Sequence, residues 1–384
     1  MSELGWPGDT APSAEELLGW PPRLPAVSRP APAPAPAPAA LVSAPPVVVP
    51  PPVDGSSAGP PPADASPAAH PSDGQPADRL RESLRDETPI GTQAAAALRV
   101  RSGSEVFPRP TRRRVITVAN QKGGVGKTTS TVNLAVALAL HGCTVLVIDL
   151  DPQGNASTAL GVAHHSGIPD VYDVLIDSTP IADVVQEAAG IARLRCVPAT
   201  IDLAGAEIEL VSVVARESRL QRAIAAYCEG PGADVDYILV DCPPSLGLLT
   251  VNAMVATDEV LIPIQCEYYA LEGLGQLLRS VDMVKAHLNP ALAVSTILLT
   301  MYDVRLRLSN QVVEEVRMHF QQLTFDTIIP RNVKLSEAPS FGIPAIMHDA
   351  ESKGAISYLN LAREIVEKNS VEAKPEAEAA DEAA

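Results

Sequence analysis

Residues 119–129 read A-N-Q-K-G-G-V-G-K-T-T and stand between a β-branched run and a stretch with the apolar spacing of a helix. The phosphate-binding spacing G-x-x-x-x-G-K-[ST] is met only in a variant form, because a residue other than glycine holds the first position. Gly123, Gly124 and Gly126 lack a Cβ, so successive N–H groups can turn inward on an anion. The loop therefore predicts a nucleotide-binding turn, and a glycine-rich turn without a ligand is the alternative.

The loop also carries one lysine more than an ordinary phosphate-binding loop. Lys127 falls in the first turn of the predicted helix, where the positive end of the helix dipole favours phosphate, and Thr128 offers a hydroxyl to Mg²⁺. Lys122 is the additional lysine. The predicted nucleotide-binding residues of the loop are Lys122, Gly123, Gly124, Val125, Gly126, Lys127, Thr128 and Thr129.

The segments around the loop predict the fold class. Residues 114–119 and 144–149 are short β-branched runs typical of buried parallel strands, and residues 131–140 have a helical pattern closed by Gly142. Strand, helix and strand at this length form a right-handed crossover, and ligands bind at the carboxyl ends of such strands. We therefore expect an α/β fold: a P-loop NTPase with a mostly parallel, doubly wound sheet flanked by helices.

Acidic residues occupy two predicted strand ends. Asp149 and Asp151 close the second strand, and they point to the same side if the strand continues through them. Two carboxylates beside phosphates favour Mg²⁺ coordination and positioning of water, and a capped turn before the next helix is the alternative. Asp241 ends a third apolar run, as expected for the acid of a Walker B motif.

Together these motifs resemble the ParA/Soj family of chromosome and plasmid partition ATPases, in the deviant Walker A group that also contains MinD. The resemblance extends from about residue 114 to residue 368 and is carried by residues 119–129, 147–155, 240–245, 263–273, 300–303 and 329–340.

The resemblance implies roles for particular residues. Lys122 would reach across an ATP-bound homodimer to the phosphates of the partner, and Lys127 would hold the phosphates in its own subunit. Asp151 would orient the attacking water, which makes Lys122, Lys127 and Asp151 the predicted catalytic set. The predicted metal set is Thr128, Asp149 and Asp241, and Pro330 and Asn332 would line the adenine pocket.

The expected cofactors are ATP and Mg²⁺, and the expected activity is ATP hydrolysis. Phosphoryl transfer depends on positioning and electrostatics, and no activating arginine stands near the loop. We expect slow intrinsic hydrolysis that a partner accelerates. The resemblance names that partner as a ParB-like centromere-binding protein.

Composition divides the chain. Residues 1–111 are rich in proline and alanine and predict a disordered arm, residues 112–368 are long enough for the ATPase domain, and residues 369–384 form an acidic tail. The acidic tail differs from the basic amphipathic helix that attaches MinD to membranes, and neither a signal peptide nor a long apolar span occurs, so we expect no membrane role. The five cysteines form no CxxC pair. The expected location is cytoplasmic and nucleoid-associated.

The formal net charge of -17 describes the whole chain, whereas binding to nucleic acid depends on a local basic patch. In ParA-like proteins basic residues of the C-terminal third bind double-stranded DNA without sequence preference. The candidates here are Arg305, Arg307, Arg331 and Lys334, with ordinary solvated charge as the alternative for each.

Two functional hypotheses remain at this point. The first is an ATP-driven DNA-segregation switch, in which an ATP-dependent sandwich dimer binds DNA and is released when the ParB-like partner stimulates hydrolysis. The second is a positioning or scaffold ATPase for a protein cargo or polar complex, with the N-terminal arm docking on a polar scaffold protein. The residues 336–340 and the missing amphipathic tail favour the first.

Overall fold

A computed structural model describes residues 106–268 and 270–372. Their centre is one seven-stranded sheet in the order β3-β4-β2-β5-β1-β6-β7. The pairs are parallel except for β3, which runs antiparallel to β4. The strands are β1 Arg114–Val118, β2 Val145–Asp149, β3 Gln186–Glu187, β4 Leu194–Val197, β5 Tyr237–Asp241, β6 Glu259–Gln265 and β7 Ala293–Thr300.

Helices cover both faces of the sheet. They are α1 Lys127–Leu140, α2 Asn155–Ala159, α3 Val171–Ile176, α4 Ile181–Val184, α5 Leu203–Glu209, α6 Arg219–Cys228, α7 Leu248–Ala256, α8 Ala270–His287, α9 Arg307–His319, α10 Val333–Glu337, α11 Ala345–His348 and α12 Lys353–Glu372, with short 3₁₀ turns at Leu210–Ser212, Arg216–Ser218 and Ala338–Phe341. This is the doubly wound, mostly parallel arrangement that the sequence predicts.

Successive side chains of a strand point to opposite faces of the sheet, and they pack into two hydrophobic cores. In β1, Val115 packs with α3, α6, α7 and α8, whereas Ile116 and Val118 pack on the opposite face with α1 and α12. Both faces of a parallel sheet are covered by helices, so its strands are apolar throughout rather than alternating with polar residues. In the strand order β1 is an interior strand between β5 and β6, and its carboxyl end leads into the phosphate loop.

At both ends of the predicted ATPase domain, the described structure extends beyond the predicted boundary. Phe107 is buried and stacks on His141 with the ring centroids 4.2 Å apart. At the other end α12 continues to Glu372, four residues past the predicted boundary at 368. The predicted division at 111/112 and 368/369 therefore stays a prediction. Residues 1–105 and 373–384, which hold most of the predicted arm and tail, lie outside the described residues.

Two arginines beside the start of β1 have structural partners. The Arg113 guanidinium donates to the carbonyls of Val235 and Gly232, at 3.0 and 3.1 Å. Arg114 forms a largely buried ion pair with Glu259, at 2.5 Å. These contacts anchor the beginning of β1, an interior strand of the sheet. Within residues 106–268 and 270–372, no helix has the length and apolar character needed to span a membrane.

Candidate functional site

The glycine-rich loop connects the central strand β1 to α1. Gly124 and Gly126 have φ of 72° and 91°, in the left-handed region that favours glycine, and Gly126 directly precedes the first helical residue. The loop carbonyls are held by neighbouring strands, because Thr300 Oγ1 donates to Val125 O at 2.8 Å and Gln265 Nε2 donates to Gly124 O at 3.1 Å. With these carbonyls turned outward, the backbone N–H groups remain available for an anion.

The two lysines of the loop occupy different surroundings. Lys127 is 6% exposed and lines the cavity above the loop, and its Nζ lies 3.4 Å from the carbonyl oxygen of Lys122. Burial lowers the pKa of Lys127, against the opposing pull of Asp241 and Asp151. Among the described residues the Lys127 ammonium has one hydrogen-bond acceptor, the Lys122 carbonyl, so it has room for further acceptors, and phosphate oxygens are suitable ones.

Lys122 instead points outward. Its Nζ forms an ion pair with Glu267 Oε2 at 3.0 Å, and the two side chains are 42% and 51% exposed. The backbone beneath it is fixed by Asn120, whose Oδ1 accepts from Lys122 N and whose Nδ2 donates to Pro263 O. The predicted additional lysine therefore lies at the rim of the site with its charge directed away from its own cavity.

Asp149 is fully buried at the end of β2. Its Oδ2 accepts hydrogen bonds from the backbone N and the Oγ of Ser157, at 2.9 and 2.7 Å, and its Oδ1 accepts from Asp151 N at 3.1 Å. Burial raises the pKa of Asp149, and the Ser157 donors oppose that rise. The strand ends at Asp149, as the predicted strand 144–149 does, so the condition under which Asp149 and Asp151 would point to the same side, a strand that continues through both, is not met.

Asp241 stands beside Asp149 in the sheet, because the two are register partners at the ends of β5 and β2. Its Oδ1 accepts from Thr131 Oγ1 at 3.1 Å, whereas its buried Oδ2 has no hydrogen-bond partner among the described residues. Burial and the neighbouring Asp149 raise the pKa of Asp241, and hydrogen bonding by Thr128 and Thr131 opposes the rise. A buried carboxylate oxygen without a donor leaves an acceptor for an additional group such as a metal-bound water.

Asp151 lies nearer to the opening of the site. It is 8% exposed, lines the cavity and accepts a hydrogen bond from Gln153 N at 3.1 Å. The structure therefore brings Asp151, Lys127 and Thr128 to one cavity, with Asp149 and Asp241 buried behind it. That is the grouping expected from the sequence, and the individual roles stay predictions.

The cavity has a volume of about 470 Å³ and two kinds of wall. Its polar wall contains Gly123, Gly124, Gly126, Lys127, Thr128, Thr129, Asn133 and Asp151, and its apolar wall contains Val132, Ala159, Pro244, Met301, Leu335, Ala338, Pro339 and Ile343. A polar end for phosphate and an apolar end for a planar base are what a nucleotide needs.

The residues predicted for the adenine pocket lie outside the cavity lining. Pro330 forms a bridge with Tyr302, and the Asn332 side chain caps α10 by accepting from Lys334 N at 2.8 Å. The segment that follows them supplies the apolar wall instead. Their assignment to an adenine pocket stays a prediction.

The four candidate DNA-binding residues divide into two pairs. Arg305 is engaged by Asp303 through two guanidinium contacts, at 2.9 and 2.7 Å, and Lys334 is engaged by Glu337 at 2.9 Å. Arg307 and Arg331 are exposed, and their side chains have no hydrogen bond or ion pair in the described part of the chain. The second pair is therefore free of ion pairs in that part of the chain, and the charge of Arg331 still helps to lower the pKa of Asp303.

Several contacts at this site had no separate signal in the sequence. Ser157, which holds Asp149, and Thr131, which holds Asp241, lie in helices beside other polar residues, and nothing in the sequence distinguishes them from those neighbours. Glu267 lies within one of the motif segments, but its pairing with Lys122 joins residues far apart in the chain. Such pairs become visible only when the strands that carry them are placed side by side.

A variant phosphate loop on the central strand, with two buried acids at adjacent strand ends, defines a P-loop NTPase of the deviant Walker A class. The chain is 52% identical over 252 residues to the sporulation initiation inhibitor protein Soj of Bacillus subtilis, an alignment that covers 66% of this chain and 98% of Soj. It belongs to the ParA/Soj family of chromosome-partitioning ATPases.

Other similarities agree with this membership. The chain is 51% identical over 256 residues to the chromosome partitioning protein ParA of Myxococcus xanthus, covering 67% of this chain and 89% of that protein. A family profile described as an AAA domain matches residues 113–294. The fold is similar to that of cobyrinic acid a,c-diamide synthase from Mycobacterium smegmatis, crystallised with an ATP analogue and magnesium, with 37% identity, a TM-score of 0.56 and coverage of 66% of this chain and 93% of that one.

Proposed function

We propose that this protein is an ATP-driven DNA-segregation switch. ATP binding would join two copies into a sandwich dimer, the dimer would hold double-stranded DNA without sequence preference on the nucleoid, and a ParB-like partner would stimulate hydrolysis and release. The observation that supports the proposal is the different position of the two lysines of one loop. Lys127 lies in the cavity, whereas Lys122 is exposed at its rim. An outward lysine can serve the phosphates of a second copy.

The cavity fits a nucleotide with Mg²⁺. Lys127 and the loop N–H groups would hold the phosphates, Thr128 would ligate the metal, and the unpartnered Oδ2 of Asp241 would accept from a water on that metal. Asp149 would assist from the second buried carboxylate. When bound, Mg²⁺ neutralises charge that develops on the phosphate oxygens.

Hydrolysis itself would rest on positioning. Asp151, at the cavity wall, would accept a hydrogen bond from the attacking water and align it with the terminal phosphate. Lys122 would be added from the partner subunit only after leaving Glu267. Because an isolated copy lacks that charge at its own phosphates, we expect its turnover to be slow, and we expect dimerisation together with the ParB-like protein to raise it.

Dimerisation would also gate DNA binding. Arg307 and Arg331 offer exposed, unpaired charge, and Arg305 and Lys334 would join them after exchanging their carboxylate partners for phosphates. Two copies double the number of phosphate contacts, and each contact adds to a strongly salt-dependent affinity. Residues 1–111, 112–368 and 369–384 are proposed as the arm, the ATPase domain and the tail.

The test is binding of the full-length protein to a nonspecific duplex at fixed salt, with ATP, with ADP and without nucleotide. Lys122→Ala should retain ATP binding and lose ATP-dependent DNA binding. Lys285→Ala is the matched control, because it removes an exposed lysine from α8, away from the loop. Equal DNA binding in all three nucleotide conditions would contradict the proposal.

A further inference from the structure

A second cavity lies where α3, α4 and α6 meet, and it shares no lining residue with the nucleotide cavity. Its volume is about 350 Å³, which is in the range of small-molecule sites. Most of its wall is apolar and includes Val174, Ile181 and Tyr227, all of them buried. Among the described residues that line it, the charged ones are two arginines, Arg219 and Arg222, and none is acidic.

Arg219 has a buried donor without an acceptor. Its Nη1 donates to Ser178 Oγ, but its Nε is buried and has no hydrogen-bond partner among the described residues. An unsatisfied buried donor on a charged group is costly, so such an atom needs an explanation, and a bound anion is one. The two oxygens of a carboxylate match the planar fork of a guanidinium group.

Arg222 follows Arg219 by three residues on α6, so the two side chains lie on the same side of the helix. Arg222 is exposed, and its side chain has no hydrogen bond or ion pair in the described part of the chain. Two neighbouring positive charges repel each other, and an anion that lies between them removes this repulsion. The cavity therefore offers two guanidinium groups to one anionic group.

Ser178, in the loop between α3 and α4, has a strained backbone. Its φ is 62°, in the left-handed region, although it is not a glycine. Strained residues of this kind occur often at ligand sites, where the surrounding structure offsets their cost. The Oγ of Ser178 accepts from Arg219, so the strained residue holds the guanidinium. The same loop brings Thr179 into the lining, and a threonine hydroxyl can donate to an anion.

The walls of the cavity are fixed by contacts behind them. Leu220 N, between the two arginines in the chain, donates to the buried Asn252 Oδ1 at 3.3 Å. The Tyr227 hydroxyl accepts from Arg195 Nη1 at 3.1 Å, which fixes the ring in the apolar wall. A site whose walls are already in place loses little conformational entropy when a ligand binds.

We propose that this cavity binds a small organic carboxylate. The carboxylate lies between Arg219 and Arg222, and the apolar body of the ligand packs on the buried wall. The wall offers few partners for the hydroxyl groups of a sugar phosphate, so an acid with an aromatic or aliphatic body is the class of ligand. The proposal is independent of the segregation switch, because no lining residue belongs to the nucleotide cavity or to the candidate DNA-binding set.

The experiment uses the full-length protein saturated with ADP and Mg²⁺, so that the nucleotide cavity is occupied, and 2-naphthoate as the probe. Saturation-transfer NMR titrations should show saturable binding with a dissociation constant on the order of 0.1 to 1 mM, as expected for a ligand of this size. The neutral 2-naphthamide has the same ring system. It should bind at least about tenfold more weakly, because it lacks the charge that pairs with the guanidinium groups.

Charge variants test the role of the arginines. Arg222→Gln should weaken binding of 2-naphthoate about three- to fivefold, the loss expected for a partly exposed charge pair, and should leave binding of 2-naphthamide unchanged. Arg219→Gln should weaken binding of the acid more, because its guanidinium is partly buried. Arg279→Gln on α8 is the matched control, since it removes one exposed arginine at another site. It should leave binding within about twofold.

A pair of alanines on α6 tests the location of the probe. Ala226 lines the cavity and Ala225 does not, and both are exposed, so neither change should affect folding. Ala226→Leu should weaken binding of the acid and the amide alike, because the longer side chain occupies the space of the ring. Ala225→Leu should leave both unchanged. Unchanged melting temperatures of all variants confirm that they are folded.

Three results overturn the proposal. The first is equal affinity for 2-naphthoate and 2-naphthamide in the wild type, and the second is an equal loss in Arg222→Gln and Arg279→Gln. The third uses a glutamate–leucine peptide as a competitor. If this peptide displaces 2-naphthoate at lower concentration and loses affinity in the same arginine variants, the surface belongs to an acidic segment of a partner protein.

Discussion

The phosphate site and the candidate DNA face of this protein differ in how their charges are held. At the phosphate site Lys127, Asp149 and Asp241 are buried, and their positions are fixed by neighbouring strands and helices. On the DNA face Arg305 is exposed and Lys334 is half-buried, and both are paired with carboxylates from their own loop or helix. The first region is prepared for one ligand geometry, whereas the second can exchange partners with little reorganisation.

This difference fits two kinds of binding. Phosphoryl transfer requires fixed groups in a water-poor site, because catalysis comes from prearranged charge. Nonspecific DNA binding requires only that charge be available near phosphates, and it gains from the release of counterions. Substitutions should therefore have large effects at the first region and small, salt-dependent effects at the second.

The largest expected effect is that of Lys127→Ala. Removing the cavity lysine should lower ATP turnover by at least about 100-fold, because a positioned charge on the transferred phosphate contributes several kcal/mol. Turnover is measured as phosphate release at saturating ATP, with Lys285→Ala as the exposed control. Turnover within tenfold of wild type would show that Lys127 does not contact the reacting phosphate.

The buried acids predict a pH dependence of stability. Asp241 has a raised pKa in the folded, nucleotide-free protein, so above about pH 4, the ordinary value for aspartate, the folded state binds more protons than the unfolded state. The free energy of unfolding should therefore fall as the pH rises through this region, by at most about 1.4 kcal/mol per pH unit for one retained proton. The loss continues until the raised pKa is passed.

Asp241→Asn tests the source of that slope. Urea unfolding in EDTA at about pH 5 and about pH 8 should show a flatter dependence for the variant, because the amide does not titrate. The difference in the free energy of unfolding between the two pH values is compared for each protein separately, because the substitution also alters hydrogen bonding at both pH values. An unchanged slope would place the titrating group elsewhere.

Ser157→Ala should lower the free energy of unfolding by about 1–3 kcal/mol. The buried Asp149 Oδ2 would lose its shorter donor, and Ala199 N would lose its acceptor. Ser280→Ala on α8 is the control, because its hydroxyl contacts only a carbonyl on the helix surface. The two variants are compared by chemical denaturation without nucleotide, and equal losses would mean that the contact with Asp149 contributes nothing particular.

The sequence predicts the local features of these two regions better than it predicts the contacts between their side chains. Strands and loop could be foreseen because glycine spacing and apolar runs are local, and β5 ends at Asp241, as the third apolar run predicts. Whether Asp151 shares one side with Asp149 could not be predicted, because strand alternation applies only as far as the strand continues, and the strand ends at Asp149. The Lys122–Glu267 and Ser157–Asp149 contacts depend on tertiary placement, whereas the pairing that distinguishes Arg305 from Arg307 is a local contact with Asp303, two residues earlier in the chain.

The smallest expected effects lie on the DNA face. Asp303→Asn should strengthen ATP-dependent binding to a nonspecific duplex about two- to fivefold, because it releases Arg305 from an exposed ion pair.

Arg307→Ala should weaken DNA binding and reduce the slope of log K against log salt by roughly one for each phosphate that the variant no longer neutralises. Arg305→Ala should weaken DNA binding less, since Arg305 must first leave Asp303. Salt titrations of the three variants give the order, and Arg222→Ala on the exposed face of α6 is the control. A larger decrease in affinity for Arg305→Ala than for Arg307→Ala would mean that the ion pair orients Arg305 toward DNA rather than withholding it.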